Sequence, residues 1–175
     1  DQPIGGILGQ GGTLTFEGCN ITTDGKFNRN GDGIIFSNTT ADGTSLNLKG
    51  CSIRVGNEGT WLSTTRGLFA NFQGKQNVTC NFDSTDIDIS AIKNLKLFHS
   101  GYGILKITNN SVIKVANSIG NKDVTVADST LEAVGDGVNL FDYSNYSTAI
   151  DIKAMNANLI SKANVFYFKD SMERT

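Results

Sequence analysis

Along this chain, short runs alternate apolar and polar residues, break at a polar or glycine position, and then resume. The pattern recurs. It reads Leu14-Thr-Phe16-Glu-Gly-Cys19-Asn-Ile21, then Leu46-Asn-Leu48-Lys-Gly-Cys51-Ser-Ile53, matching at apolar, glycine and cysteine positions. Further copies open at Val78-Thr-Cys80, with an insertion expected near Asp83 to Asp86, and at Leu105-Lys-Ile107-Thr-Asn-Asn110-Ser-Val112. The last two are Val124-Thr-Val126-Ala-Asp-Ser129-Thr-Leu131 and Ile150-Asp-Ile152-Lys-Ala-Met155-Asn-Ala157. Period-2 alternation predicts strands, and no sustained 3.6-residue period argues for helices. The leading residues lie 32, 32, 27, 19 and 26 apart, the range in which a repeating supersecondary unit is expected.

A second column accompanies the first. Ile35-Phe36, Leu68-Phe69, Leu97-Phe98, Leu140-Phe141 and Tyr167-Phe168 each end an apolar run, and Ile119 takes the place of phenylalanine in the short fourth repeat. No single repeat can bury its own apolar face, whereas stacked repeats share a continuous core. The expected fold is therefore all-β, a single-stranded parallel β-helix (a β-solenoid) of about six rungs over 13–175. Residues 1–12 are expected to form a capping or connecting segment. Phe16, Leu48, Cys80, Ile107, Val126 and Ile152 should point inward, with Thr15, Asn47, Thr79, Lys106, Thr125 and Asp151 outward. The phenylalanines should stack on a further face, interrupted at Ile119.

Composition agrees and removes some functions. One proline stands against 20 glycines, with Asn, Asp, Ser and Thr abundant, as turn-rich β structure requires. The 15 basic and 17 acidic residues leave a net charge of −2, without the basic excess of a nucleic-acid binder. No apolar run reaches the roughly 18 residues of a membrane span. Asp1-Gln2-Pro3-Ile4 shows no signal-peptide pattern, so a leader has been removed or the chain is part of something longer.

Candidate chemistry is sparse. Cys19 and Cys51 share a column, which fits a disulfide, half a metal site, or two small stacked side chains. Parallel neighbours facing the same way suit an S–S torsion near 90° poorly. His99, the single histidine, has no orienting carboxylate or nucleophile close in sequence and reads as a surface residue. Asp86 and Asp88 would share one strand face, where they could act as an acid pair or bind Ca²⁺. The turns Gly31-Asp32-Gly33 and Gly135-Asp136-Gly137 read first as punctuation before the phenylalanine strands. Tyr143, Tyr146, Trp61 and Tyr102 lie near expected turns, where they would either stack on sugar rings or cover rung edges. Sequons at Asn20, Asn38, Asn77, Asn109 and Asn145 exceed the about three expected by chance, and would fit a glycosylated extracellular surface. A threonine ice-binding array is broken by Lys106 and Asp151.

The repeat signature, with its Asn, Ser and Gly turns, resembles over about residues 13–170 the right-handed parallel β-helix superfamily of pectate lyases, phage tailspikes and bacterial surface adhesins. The resemblance implies a right-handed coil, exposed on a cell or virion surface. It carries over no catalytic residue. Arg29, Arg54, Arg66 and Arg174 are scattered, and the chain has neither the clustered Ca²⁺-binding aspartates with a catalytic arginine or lysine of lyase-like members nor the Gly-His-Gly of polygalacturonase-like ones. Three functions are expected in order. The first is a non-enzymatic extracellular structural or adhesive module, associating with itself or with neighbouring solenoid domains through the apolar open ends Ile4-Gly-Gly-Ile-Leu8 and Val165-Phe-Tyr-Phe168. The second is a tailspike-like polysaccharide depolymerase or lyase using Asp86 and Asp88. The third is a non-hydrolytic module binding surface glycans through its tyrosines.

Overall fold

The computed structural model describes residues 12–23, 43–56, 66–69, 78–98, 103–120, 123–144 and 149–169. These form sixteen strands, with no helix among the described residues; correspondingly, none of them lies in a helix long and apolar enough to cross a membrane. One six-stranded sheet holds β1 (Gly12–Glu17), β3 (Thr44–Lys49), β6 (Thr79–Asp83), β9 (Ile104–Thr108), β11 (Asp123–Ala127) and β14 (Ile152–Met155), in that spatial order. A second holds β2 (Asn20–Thr23), β4 (Ser52–Val55), β7 (Asp86–Asp88), β10 (Val112–Val115), β12 (Thr130–Ala133) and β15 (Asn158–Ser161), also stacked in chain order. Two shorter pairs join β5 (Arg66–Phe69) to β8 (Leu95–Phe98) and β13 (Phe141–Asp142) to β16 (Phe166–Tyr167). Every pairing is parallel. Each repeat thus contributes one strand to each sheet beside its counterpart in the next repeat, a connectivity consistent with a β-solenoid.

The corner between the two sheets is what the repeat signature encodes. Its first residue takes a left-handed backbone in every repeat: Gly18 (φ 62), Gly50 (φ 58), Ser84 (φ 50), Asn109 (φ 57) with Asn110 (φ 60), Asp128 (φ 50) and Asn156 (φ 48). Glycine adopts this conformation freely, and Asn and Asp tolerate it better than other side chains. The residue after it is small: Cys19, Cys51, Thr85, Ser111, Ser129 and Ala157. Three of these donate hydrogen bonds to the carbonyl of the preceding repeat's inward residue. Cys51 Sγ reaches Phe16 O at 3.3 Å, Thr85 Oγ1 reaches Leu48 O at 3.1 Å, and Ser111 Oγ reaches Phe82 O at 3.4 Å. Buried carbonyls at the bend are satisfied in this way.

This corner corrects the expected register. Leu46 pairs with Cys80, not Val78, and Cys80 with Leu105. Val124 pairs with Ile152, not Ile150. The third copy is therefore Cys80-Asn-Phe82-Asp-Ser-Thr85-Asp-Ile87, with no insertion, and the sixth runs from Ile152 to Leu159. The extra residue sits in repeat four, where Asn109 and Asn110 both take the left-handed form. Ile113 rather than Val112 consequently faces inward, pairing with Ile87 and Leu131. The inward column becomes Phe16, Leu48, Phe82, Ile107, Val126 and Ala154; its outward neighbour becomes Thr15, Asn47, Asn81, Lys106, Thr125 and Lys153. Slips of two residues leave every side chain on its own face, so Cys80 stays buried.

The core runs through the stack. Leu46, Leu48, Ile53, Phe82, Ile87, Leu105, Ile107, Ile113 and Leu131 are fully buried, each burial contributing about 1.5–3 kcal/mol. A third ladder closes behind the two sheets. Phe69 pairs with Phe98, Phe98 N bonds Ile119 O, Ile119 N bonds Leu140 O, and Phe141 pairs with Phe166. Phe166 thus holds the place expected for Phe168. The aromatic stack breaks at Ile119 as expected. On one side Phe69, Phe82 and Phe98 lie within 6.3 Å of one another; on the other, Phe141 stacks on Phe166 at 5.3 Å. Phe36 lies outside the described residues.

Candidate functional site

Each sheet ends twice, at β1 and β2 on one side and at β14 and β15 on the other. Burial changes abruptly there. Leu46 and Leu48 are buried, but their partners Leu14 and Phe16 are only partly so. Val126 and Leu131 are buried, but their partners Ala154 and Leu159 are exposed and half-exposed. Phe168 is also open at this end, while the exposed Met155, Ile160 and Tyr167 stand on the outward faces, in register with Ala127, Glu132 and Asp142. Backbone donors and acceptors along an unpaired edge present the same template. The far end therefore offers an apolar layer framed by two strand edges. The expected terminal segment Val165–Phe168 contributes to this end; Ile4–Leu8 lies outside the described residues.

The two edges match in shape. In both terminal repeats, two corner residues separate the strands, Gly18-Cys19 and Asn156-Ala157, and the first is left-handed in each. A β1–β2 edge placed on a β14–β15 edge would continue both sheets at once, setting the large Phe16 over the small Ala154.

The outward face of the second sheet is charged. Asp86 and Asp88 do share it, with Ile87 buried between them. Arg54 Nη2 pairs with the Asp86 carboxylate and its Nη1 donates to Asp86 O at 3.1 Å. Asp88 Oδ1 accepts from Ser90 N at 3.0 Å and Ser90 Oγ at 2.6 Å. Lys114 and Glu132 continue the alternation at 3.7 Å. Such pairs on an exposed face contribute at most about 1 kcal/mol each. Among the described residues no cluster of three metal-ligating side chains occurs.

Other expected candidates are placed as follows. Tyr143 is fully buried, two residues beyond Phe141 on the same face, and stacks on Phe168 at 5.3 Å. It packs in the core instead of presenting a ring at a turn. Asp136, exposed in its turn, accepts from Lys162 Nζ at 2.8 Å; that hydrogen bond, with the lysine's charge, holds its carboxyl below the usual range. The sequon residues Asn20 and Asn109 are exposed. Trp61, His99, Tyr102, Tyr146, Asn38, Asn77, Asn145 and the Gly31-Asp32-Gly33 turn lie outside the described residues.

The three cysteines are free thiols. Cys19 Sγ donates to Glu17 O at 3.5 Å, while Cys51 donates to Phe16 O, so the pair behaves as stacked small side chains. Burial pushes the Cys80 thiol above its ordinary range, which disfavours the reactive thiolate, and both Cys80 and Cys51 are buried away from reagents. A thiol reagent should therefore modify Cys19 alone in the native protein and all three after unfolding. Reactivity confined to Cys80 in non-reducing denaturant would instead demonstrate a Cys19–Cys51 bond.

One surface escaped the sequence reading. A polar groove of about 480 Å³ runs along the corner of repeats four to six, lined by Asn109, Asn110, Asp128, Thr130, Asn156 and Asn158. Only Asn109 stood out in sequence, as a sequon. The doublet Asn109-Asn110, one residue too many for the signature, is the trace it leaves.

Comparison with protein-family models, curated proteins and solved structures yields no match.

Proposed function

We propose that this chain is a non-enzymatic extracellular structural or adhesive module. In this reading it is a single-stranded right-handed parallel β-helix of about six rungs over 13–175, led by a capping or connecting segment over 1–12. It associates through its open ends, copy on copy into a filament or against neighbouring solenoid domains of a larger spike or fibre. The handedness rests on the rule that parallel strands of one sheet are joined by right-handed crossovers in about 98% of cases. The extracellular setting rests on the sequons, two of which have exposed asparagines.

The observation that carries the reading is the loss of burial along otherwise closed columns, from Val126 to Ala154 and from Leu131 to Leu159. Covering those residues with another copy would remove apolar surface from water at about 25 cal/mol per Å² and pair both strand edges. A depolymerase or lyase working through Asp86 and Asp88 would need carboxylates ready for substrate or Ca²⁺. Instead, Arg54 engages the first and Ser90 the second.

Sedimentation velocity tests the reading directly. The average mass should rise with concentration above the 18.7 kDa of a single chain. A mass fixed at that value throughout would remove the stacking of copy on copy and leave only docking against neighbouring solenoid domains.

A further inference from the structure

We propose that the corner groove of repeats four to six is a binding site for a neutral, elongated, polyhydroxylated ligand, that is, a glycan chain. Its residues Asn156 and Asn158 lie in the terminal repeat that end-to-end association would cover, so binding is measured at dilution, where the chain is single, and either proposal can fail alone.

Three observations carry it. First, the groove lies at the one place where the corner is lengthened. The second left-handed residue, Asn110, turns the chain so that Val112 faces solvent, 43% exposed, beside the amides. Second, the left-handed corner itself does not require these side chains, although Asn109 Nδ2 also donates to Asp83 Oδ1 of the preceding repeat at 2.9 Å. Repeats one and two make the same corner with Gly18 and Gly50. From repeat four onward the position carries Asn109 with Asn110, then Asp128, then Asn156, whose Nδ2 donates to Asp128 Oδ1 at 2.7 Å. Asn158 and Thr130 extend the strip at 3.4 Å. Successive repeats thus place a carboxamide, a carboxylate and another carboxamide at strand spacing, about 4.8 Å.

Third, the donor set selects the ligand. A carboxamide both donates and accepts, as does a sugar hydroxyl. Among the described residues the lining holds no lysine, arginine or histidine and a single carboxylate, so a phosphorylated, sulfated or uronic ligand would meet one anion and none of these cations. A divalent cation would find one carboxylate where several oxygen ligands are needed. Among the described residues no aromatic ring lines the groove to stack on a base. The volume is that of a small-ligand site, and Val112 offers an apolar face for the C–H side of a sugar ring.

The test uses the full chain made in a host without N-glycosylation, so that Asn109 is bare. It is first applied to an array of neutral and acidic oligosaccharides, and the strongest binder is then titrated by calorimetry. Asn110→Gly, Asp128→Gly and Asn156→Gly remove side chains while keeping the left-handed backbone strain-free. Each should weaken binding by about tenfold, the effect of one or two lost hydrogen bonds. Ser84→Gly, the same change at a corner outside the groove, should bind as wild type. Asn158→Ala, on an ordinary strand, should give a similar loss and serves if a glycine variant folds poorly. Absence of neutral-glycan binding, preference for acidic glycans, or unchanged affinity in the groove variants would overturn the proposal.

Discussion

Replacing Phe82 with alanine should lower the free energy of unfolding by about 4 kcal/mol, a large share of the roughly 5–15 kcal/mol typical of a folded domain. Phe82 is fully buried, flanked in its column by Leu48 and Ile107, and its ring lies 5.6 Å from Phe69 and 6.3 Å from Phe98. Truncation removes apolar burial and two ring contacts. It also leaves a cavity that hydrogen-bonded strands on both sides cannot close by collapse. Stacked repeats are stabilised mainly by nearest neighbours, so hydrogen-exchange protection should fall first in β3, β6 and β9. Chemical denaturation measures the total. A loss under about 1 kcal/mol would mean that the ring does not bridge the sheets as described.

Introducing Ala154→Lys together with Leu159→Lys should abolish self-association while leaving the single chain folded. Both positions face the core side of the last repeat yet remain open to water. In an isolated copy the two ammonium groups reach solvent, and stability should fall by about 1–2 kcal/mol, chiefly because the half-buried Leu159 loses its packing against the core. In a stacked copy they would be sealed against the neighbour's apolar layer, at a cost of several kcal/mol per uncompensated charge. That weakens association at least about a hundredfold. Inward-pointing charges are how natural proteins block edge-to-edge pairing. Sedimentation of the variant reads the result, and association equal to wild type would place the contact elsewhere.

Much of the architecture was legible because alternation is a strong signal. Leu14-Thr-Phe16 and Leu105-Lys-Ile107 announce strands, and recurrence of the same letters announces stacking. Register was less legible for a definite reason. A slip of two residues, Val78 for Cys80 or Ile150 for Ile152, preserves every inward and outward assignment. Only the left-handed corner residue decides between them, and it is Gly, Ser, Asn or Asp in different repeats. Repeat four shows the complementary difficulty, since one added residue moves Val112 out and Ile113 in. Tyr143 misled through its neighbours: Ser144 and Asn145 read as a turn, but the phenylalanine face extends past Phe141 to include it. The groove left no trace in sequence beyond the Asn109-Asn110 doublet. Its walls come from three repeats, and its chemistry exists only once they are stacked.

Electron microscopy of the purified chain tests the open-ended stack most directly. Six strands per sheet at about 4.8 Å each give roughly 29 Å of rise per copy. Filaments or short rods with that axial repeat, lost in the double lysine variant, are the predicted result. Separate single particles at every concentration would contradict it.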